Sequence, residues 1–129
     1  MARSFPMLYV ADVPATVSFY VDGLGAMLDH AHDDGSYAEV HVDDLTVGLV
    51  AEVDAREHLP VPFEPGARSG PPGAFELFFE VADADEAAKK AASAGATVLA
   101  QPTDKPWGWR VAYLRDPNGI VIELACPLG

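Results

Sequence analysis

The chain has 129 residues, half of them hydrophobic, and its 20 acidic and 8 basic side chains give a formal net charge of −12. This length favours one compact domain, and the acidic surplus disfavours nucleic acid and anionic membranes as partners. No apolar run reaches the ~18 residues of a membrane span, and Cys126 is the single cysteine, so we expect a soluble, cytoplasmic protein without an internal disulfide.

Read in order, the chain repeats one pattern. The tripeptide "VAD" occurs at residues 10–12 and 81–83, each time after a strand-like run and before a helical segment that ends near Gly-Ala. In the first half, Asp12 is the predicted N-cap and Pro14 suits the first helical turn. The spacing of the apolar residues predicts one buried stripe on this helix, formed by Val13, Val17, Tyr20 and Leu24.

The second half follows the same plan. Asp83 and Glu86 have the spacing of a capping box, and the small-residue helix "AAKKAASAG" ends at Gly95. Each helix is followed by three predicted strands, "MLDHAHDD", "SYAEVHV" and "LTVGLVAEV" in the first half and "TVLAQPT", "WRVAYL" and "IVIELA" in the second. Each half is therefore predicted to be a β-α-β-β-β module.

A proline-rich segment separates the two modules. Its five prolines and three glycines predict that it forms neither a helix nor a central strand. We predict module 1 at about residues 4–54, a linker at about 55–73 and module 2 at about 74–127. Because one module leaves a sheet face exposed, the pair predicts an α+β fold, an open curved sheet around a cleft with the helices on its outer face.

The stretch "DPNGIVIEL" near the end of the chain combines a type I turn with a strand. Strand alternation puts Val121, Glu123 and Ala125 on one face and Ile120, Ile122 and Leu124 on the other, which we predict to be core. An acid within this apolar strand can hold a metal ion, a proton or a cationic ligand, or it can be satisfied by neighbouring groups or water.

The segments "SFY" and "GLG" after Asp12, the final "DPNGIVIEL" and the duplicated layout resemble the vicinal oxygen chelate superfamily. This family includes glyoxalase I, bleomycin-resistance proteins, fosfomycin-resistance enzymes and extradiol dioxygenases. The resemblance covers nearly the whole chain and implies paired β-α-β-β-β modules, commonly completed by homodimerisation.

Metal-dependent members of that family place His or Glu ligands in the first and last strands of each module. The resemblance assigns these positions to Phe5, Gly48 (or Leu49), Glu76 and Glu123, so only two of the four carry a donor. We therefore expect no metal cofactor; a divalent metal, if one binds, would use Glu76 and Glu123. The four histidines, His30, His32, His41 and His58, are interpreted as surface or core residues.

Two glutamates on adjoining strands would share a proton or hold a cation between them. Aromatic residues are predicted on the same face, and "KPWGWR" looks like the corresponding region of bleomycin-resistance-type members, which sequester drugs at the dimer interface. Packing of Trp107 or Trp109 against a second subunit is an alternative, and Arg110 can orient an anion or pair with an acid. The predicted ligand-binding residues are Phe5, Tyr9, Glu76, Phe78, Trp107, Trp109 and Glu123.

The leading interpretation is a homodimeric, metal-independent protein that sequesters a cationic or aromatic small molecule such as an antibiotic. The alternative is a lyase, isomerase or dioxygenase-type enzyme that uses Glu76 and Glu123, with or without a divalent metal. A third possibility is a small accessory subunit or regulatory module whose cleft is filled by bulky side chains.

Overall fold

A computed structural model describes residues 2–129, which form eight strands and three helices. In chain order the elements are β1 (Met7–Val10), α1 (Val13–Leu24), β2 (Met27–Ala31), β3 (Tyr37–Val42), β4 (Leu45–Ala51), α2 (Glu52–His58), β5 (Glu76–Glu80), α3 (Ala84–Ser93), β6 (Thr97–Asp104), β7 (Trp109–Arg115) and β8 (Val121–Pro127). The predicted β-α-β-β-β order of each half is confirmed. None of the helices within residues 2–129 is both long and apolar enough to cross a membrane.

The chain divides after Gly66 into two compact units, each built on a four-stranded sheet. The strand order is β1-β4-β3-β2 in the first unit and β5-β8-β7-β6 in the second. In each unit the first strand pairs parallel with the last, and the other pairs are antiparallel. The α+β class is confirmed, while the predicted domain boundaries stay a prediction.

Helix α1 begins and ends where its capping residues predict. The Asp12 carboxylate accepts a hydrogen bond from the Ala15 N–H at 3.0 Å, and Gly25, in the left-handed region at φ 70°, donates to the Tyr20 carbonyl. Val13 and Tyr20 are buried as predicted.

The buried stripe of α1 is rotated from the predicted one. Thr16 and Phe19 are buried, whereas Val17 and Leu24 are only half-buried. Packing against the strands thus determines which face of α1 is buried. The face predicted from apolar spacing alone is rotated from the observed face by about one residue.

Helix α2 contradicts the prediction that residues 55–73 contain no helix. The first proline of this segment is Pro60, so the chain up to Leu59 is free to form helical hydrogen bonds. Acidic residues lie in the first turn of α2 and basic residues in its last turn, as the helix dipole favours. The predicted strand "LTVGLVAEV" accordingly ends at Ala51, and His58 lies in a helix.

The hairpin between β7 and β8 has the predicted turn. The Gly119 N–H donates to the Asp116 carbonyl at 2.9 Å, and the buried Asp116 carboxylate accepts from the N–H groups of Asn118 at 2.8 Å and Ile120 at 3.0 Å. These bonds fix the register of β8, and therefore the face on which Glu123 lies.

Arg115, at the end of β7, holds part of the proline-rich segment against this turn. Its buried guanidinium donates to three backbone carbonyls, those of Gly119 at 2.9 Å, Gly70 at 2.6 Å and Ala67 at 2.9 Å. The segment that follows Gly66 is therefore fixed to the second unit by a side chain that is 45 residues or more away in sequence.

Candidate functional site

The second sheet has one face packed against α3 and one open face that carries Glu123. Ile122 and Leu124 are fully buried on the helix side, as predicted, whereas Ile120, predicted with them, precedes β8 and is half-buried. On the open face, Glu123 lies opposite Phe78 of β5 and opposite Tyr113 of β7. Glu76, opposite Val121, is the diagonal neighbour of Glu123 on the adjoining strand.

Glu76 and Glu123 are neighbouring acids on adjoining strands of this face. Burial, the hydrogen bond with Glu76 and the negative charge of Glu76 raise the pKa of Glu123 to about 7, against a smaller lowering by the Tyr113 hydroxyl. The pKa of Tyr113 is also raised, first by burial and then by the charges of Glu123 and Glu76. Glu123 therefore keeps its proton over much of the range below neutral pH.

Aromatic rings border this acid pair. Phe78 is half exposed, and its ring centroid lies 6.4 Å from that of Trp109 in an edge arrangement. Trp107 lies in the turn between β6 and β7 and is 62% exposed. The structure thus brings Glu76, Phe78, Trp109 and Glu123 onto one face, while Trp107 stands in the turn beside it.

Phe5 and Tyr9, the other two predicted ligand-binding residues, lie in the first unit. The Phe5 ring stacks under the Arg3 guanidinium at 4.9 Å, and Tyr9 packs edge-on against Phe63 at 4.9 Å between ring centroids. Both rings are half-buried by neighbours from their own unit.

Gly48 occupies the position of β4 that corresponds to Glu123 in β8, because each lies opposite the first strand of its module. A side chain at Gly48 would collide with the Met7 sulfur and lie 3.1 Å from both the Phe5 ring and the Tyr37 hydroxyl. Neighbouring side chains therefore fill this position in the first unit.

Arg110 lies on the helix side of β7. Its guanidinium donates to the Asp104 carboxylate at 2.8 Å and to the Asp85 carboxylate at 3.1 Å. Of the two roles that the sequence left open, pairing with an acid is the one that the structure has.

The sequence analysis did not identify Tyr113 beside Glu123, nor the buried acid Glu39 with its partners Arg3 and Tyr37. Tyr113 lies on the same face of β7 as Trp109, so strand alternation could have predicted its position beside Glu123. In the first unit, Glu39 lies on the open face of β3 with Arg3 and Tyr37 as hydrogen-bonding partners. The alternating residues Tyr37, Glu39 and His41 marked this polar face, but nothing local indicated Arg3.

The fold and the motifs define a known class of protein. The family model described as the glyoxalase/bleomycin resistance protein/dioxygenase superfamily matches residues 4–124. The chain belongs to this superfamily.

Two curated relatives and one solved structure illustrate the relationship. The anthracycline biosynthesis protein DauV of Streptomyces sp. strain C5 is 31% identical over 118 residues, which cover 88% of this chain and 42% of that protein. A protein of Mycobacterium bovis named provisionally as the glyoxylase CFP32 is 43% identical over 58 residues, 45% of this chain and 22% of that protein. The chain thus matches less than half of the length of either relative.

A glyoxalase-related enzyme from Fulvimarina pelagi superposes with a TM-score of 0.81 at 18% identity, over 98% of this chain and 88% of that one. At this identity the likeness concerns the fold alone.

The residues at the family's metal positions do not fit a His/Glu metal site. All four histidines lie before residue 60, so Glu76 and Glu123 have no imidazole from the second unit beside them. At the corresponding positions of the first unit, Phe5 and Gly48 have no donor side chain. Two carboxylates are a poor set for zinc, nickel or iron, which need about three good protein ligands.

Proposed function

We propose that this protein binds a small organic cation with an aromatic group on the open face of its second sheet, without a metal, and sequesters it. The observation that carries the proposal is the position of Glu76 and Glu123 on one face of the sheet with the rings of Phe78 and Trp109, where burial and the neighbouring Glu76 raise the pKa of Glu123 to about 7. A cation placed there would take the place of the proton on Glu123 and balance the charge of the two carboxyl groups.

The surroundings of the acid pair support a cationic ligand. Among residues 67–129, the basic side chains that form hydrogen bonds or ion pairs do so elsewhere: Arg110 with Asp85 and Asp104, Lys89 with Glu86, and Arg115 and Arg68 with backbone carbonyls. Neither Glu76 nor Glu123 forms an ion pair with any residue that the structure describes. The net charge of −12 adds long-range attraction for a cation.

The aromatic part of the proposed ligand is supported by the half-exposed Phe78 and its contact with Trp109. Flat rings beside carboxylates favour a planar cation through stacking and cation-π attraction. The name of the relative DauV, which refers to anthracycline biosynthesis, agrees with an aromatic ligand.

We further propose that the protein acts as a homodimer in the cytoplasm. DauV is more than twice as long as this chain, so one such chain has room for two domains of this size. Two copies of the present chain would supply the same number of modules. The single cysteine agrees with a reducing compartment.

The test is a titration with N-methylquinolinium, a planar aromatic cation, in which calorimetry and tryptophan emission measure binding. We expect quenching in the wild type and in Trp107→Phe, and a much smaller response in Trp109→Phe. Glu123→Gln should weaken binding by about tenfold, since it removes one of the two charges that face the cation. The matched control ligand is 1-naphthalenesulfonate, an aromatic anion of similar shape. Equal affinity for the anion, or an unchanged response in Trp109→Phe, would refute the proposal.

A second candidate function is an enzyme of the lyase, isomerase or dioxygenase type that uses Glu123 to transfer a proton. The observation that favours it is the Glu123 pKa of about 7, which suits a general acid or base near neutral pH. Chemical change of a bound compound in the wild type, lost in Glu123→Gln, would favour the enzyme over sequestration.

A further inference from the structure

The open face of the first sheet carries a buried acid, Glu39. It lies in the middle of β3, opposite Gly48 of β4 and His30 of β2. The residue is only 7% exposed, whereas its neighbours Ala38 and Val40 face the core on the other side of the sheet. A carboxylate this buried needs partners that compensate for the water it has lost.

Two partners satisfy Glu39. Arg3 donates from Nη1 to Oε1 at 3.1 Å and from Nη2 to Oε2 at 3.4 Å, and the Tyr37 hydroxyl donates to Oε2 at 2.7 Å. These bonds lower the pKa of Glu39, while burial and the neighbouring carboxylate raise the pKa of Tyr37 to about 12. The carboxylate is therefore ionised, and both of its oxygens face a planar, two-pronged donor.

The two sides of this ion pair differ in their access to solvent. The Glu39 side chain is 9% exposed and lies in the central part of the sheet, whereas the Arg3 side chain is 58% exposed. Arg3 precedes β1, outside any helix or strand, and it stacks over the Phe5 ring at 4.9 Å. Glu39 is thus held in place by the sheet, whereas the exposed Arg3 side chain can move away from it.

We propose that Glu39, Tyr37 and Phe5 form a binding site for guanidinium-type cations on the first unit, and that Arg3 of the same chain occupies this site when no other cation does. All three residues belong to the first unit, whereas Glu76 and Glu123 belong to the second. The selectivity of the proposed site follows from geometry, since a planar guanidinium can engage both Glu39 oxygens and lie against the Phe5 ring, and an ammonium cannot do both.

The test compares the affinity of wild type and Arg3→Ala for ethylguanidinium, measured by the shift in melting temperature and by the NMR signals of Tyr37 and His30. A tethered arginine competes at millimolar effective concentration or above, so its removal should strengthen ethylguanidinium binding by at least about tenfold. Ethylammonium should show a much smaller gain. Arg56→Ala is the matched control, because Arg56 also stacks over a phenylalanine, Phe63 at 4.8 Å, but is not a partner of Glu39 in the hydrogen bonds and ion pairs of residues 2–129.

Equal ethylguanidinium affinity in wild type and Arg3→Ala would overturn the proposal, as would binding that persists in the double variant Arg3→Ala, Glu39→Gln. If Arg3→Ala does not fold, the wild type provides the answer. Added ethylguanidinium should move the Arg3 Nε–H signal toward that of free arginine, and a signal that stays in place at saturating ethylguanidinium would refute displacement. Ethylguanidinium binding that is lost in Glu123→Gln but retained in Glu39→Gln would assign the binding to the second unit and refute the proposal.

Discussion

Tyr113 and Glu123 face each other across the β7–β8 hairpin, with Phe78 on the other side of Glu123 in β5. This position half-buries the Glu123 carboxyl between a phenol and a second carboxyl group, and the pKa of Glu123 rises to about 7 as a result. The proton on Glu123 is therefore coupled to the stability of the fold and to any charge that binds beside it.

The first prediction concerns stability against pH. Because the folded pKa of Glu123 is about 7 and its ordinary value is 4.5, the stabilising effect of its proton is complete below pH 4.5 and is lost as the pH rises through 7. In Glu123→Gln this loss cannot occur. We expect the stability difference between variant and wild type to move in favour of the variant by about 1–2 kcal/mol from pH 5 to pH 8, after allowance for partial exposure.

Urea unfolding at both pH values measures this difference. Glu80→Gln is the control, because Glu80 is an exposed acid on the same face of β5. A Glu123→Gln variant whose stability follows the wild-type pH profile would contradict the raised pKa of Glu123.

The second prediction concerns Arg115 and the segment it holds. Arg115→Met leaves three backbone carbonyls without their charged donor, so we expect a loss of about 2–4 kcal/mol in the free energy of unfolding. Limited proteolysis should then cut faster between Ala67 and Gly70. Arg68→Met is the control, since the exposed Arg68 makes a single 3.3 Å hydrogen bond to the Gly95 carbonyl, and we expect it to cost less than about 0.5 kcal/mol. Unchanged cleavage in Arg115→Met would mean that other contacts hold the segment.

The third prediction compares two glycines with similar φ angles. Gly119 has φ 87° and Gly70 has φ 83°, but a side chain at Gly119 would collide with the Ala67 backbone, whereas one at Gly70 meets nothing within 4 Å. Gly70→Ala should cost about 1 kcal/mol from the left-handed backbone alone. Gly119→Ala should cost more than about 3 kcal/mol, because the turn or the Ala67 segment must also move. Thermal unfolding of both variants decides this, and equal costs would contradict the close approach of the two segments.

The fourth prediction concerns metal binding. Two carboxylates without imidazole hold divalent cations weakly. Protein stripped with a chelator and then titrated with Zn²⁺, Ni²⁺ or Mn²⁺ should therefore bind these ions at Glu76 and Glu123 with a dissociation constant of about 1 mM or weaker. Elemental analysis and tryptophan emission measure this, on protein without a histidine tag. Near-stoichiometric metal that is lost in Glu123→Gln but retained in Glu80→Gln would contradict the prediction and favour the enzyme alternative.

The sequence by itself determined the features that depend on neighbouring residues. Asp12 and Asp83 begin their helices because a short side-chain acceptor can reach the first free N–H groups. The residues "DPNG" form their turn through hydrogen bonds within five consecutive positions. Strand alternation then places Glu123 on the face of β8 that points away from the core. The repeat of these local signals predicted both modules and the family.

Only the tertiary structure decided which side chains complete the sites. Arg3 meets Glu39 across 36 positions, and Arg115 meets Ala67 across 48, so no local pattern contains either contact. The separation of Trp109 from Trp107 likewise depends on strand register and on the turn at Gly108, although the two residues lie in one six-residue motif. Local propensity chooses the elements, but the burial of an acid or a cation depends on partners that only the folded sheets bring within hydrogen-bonding distance.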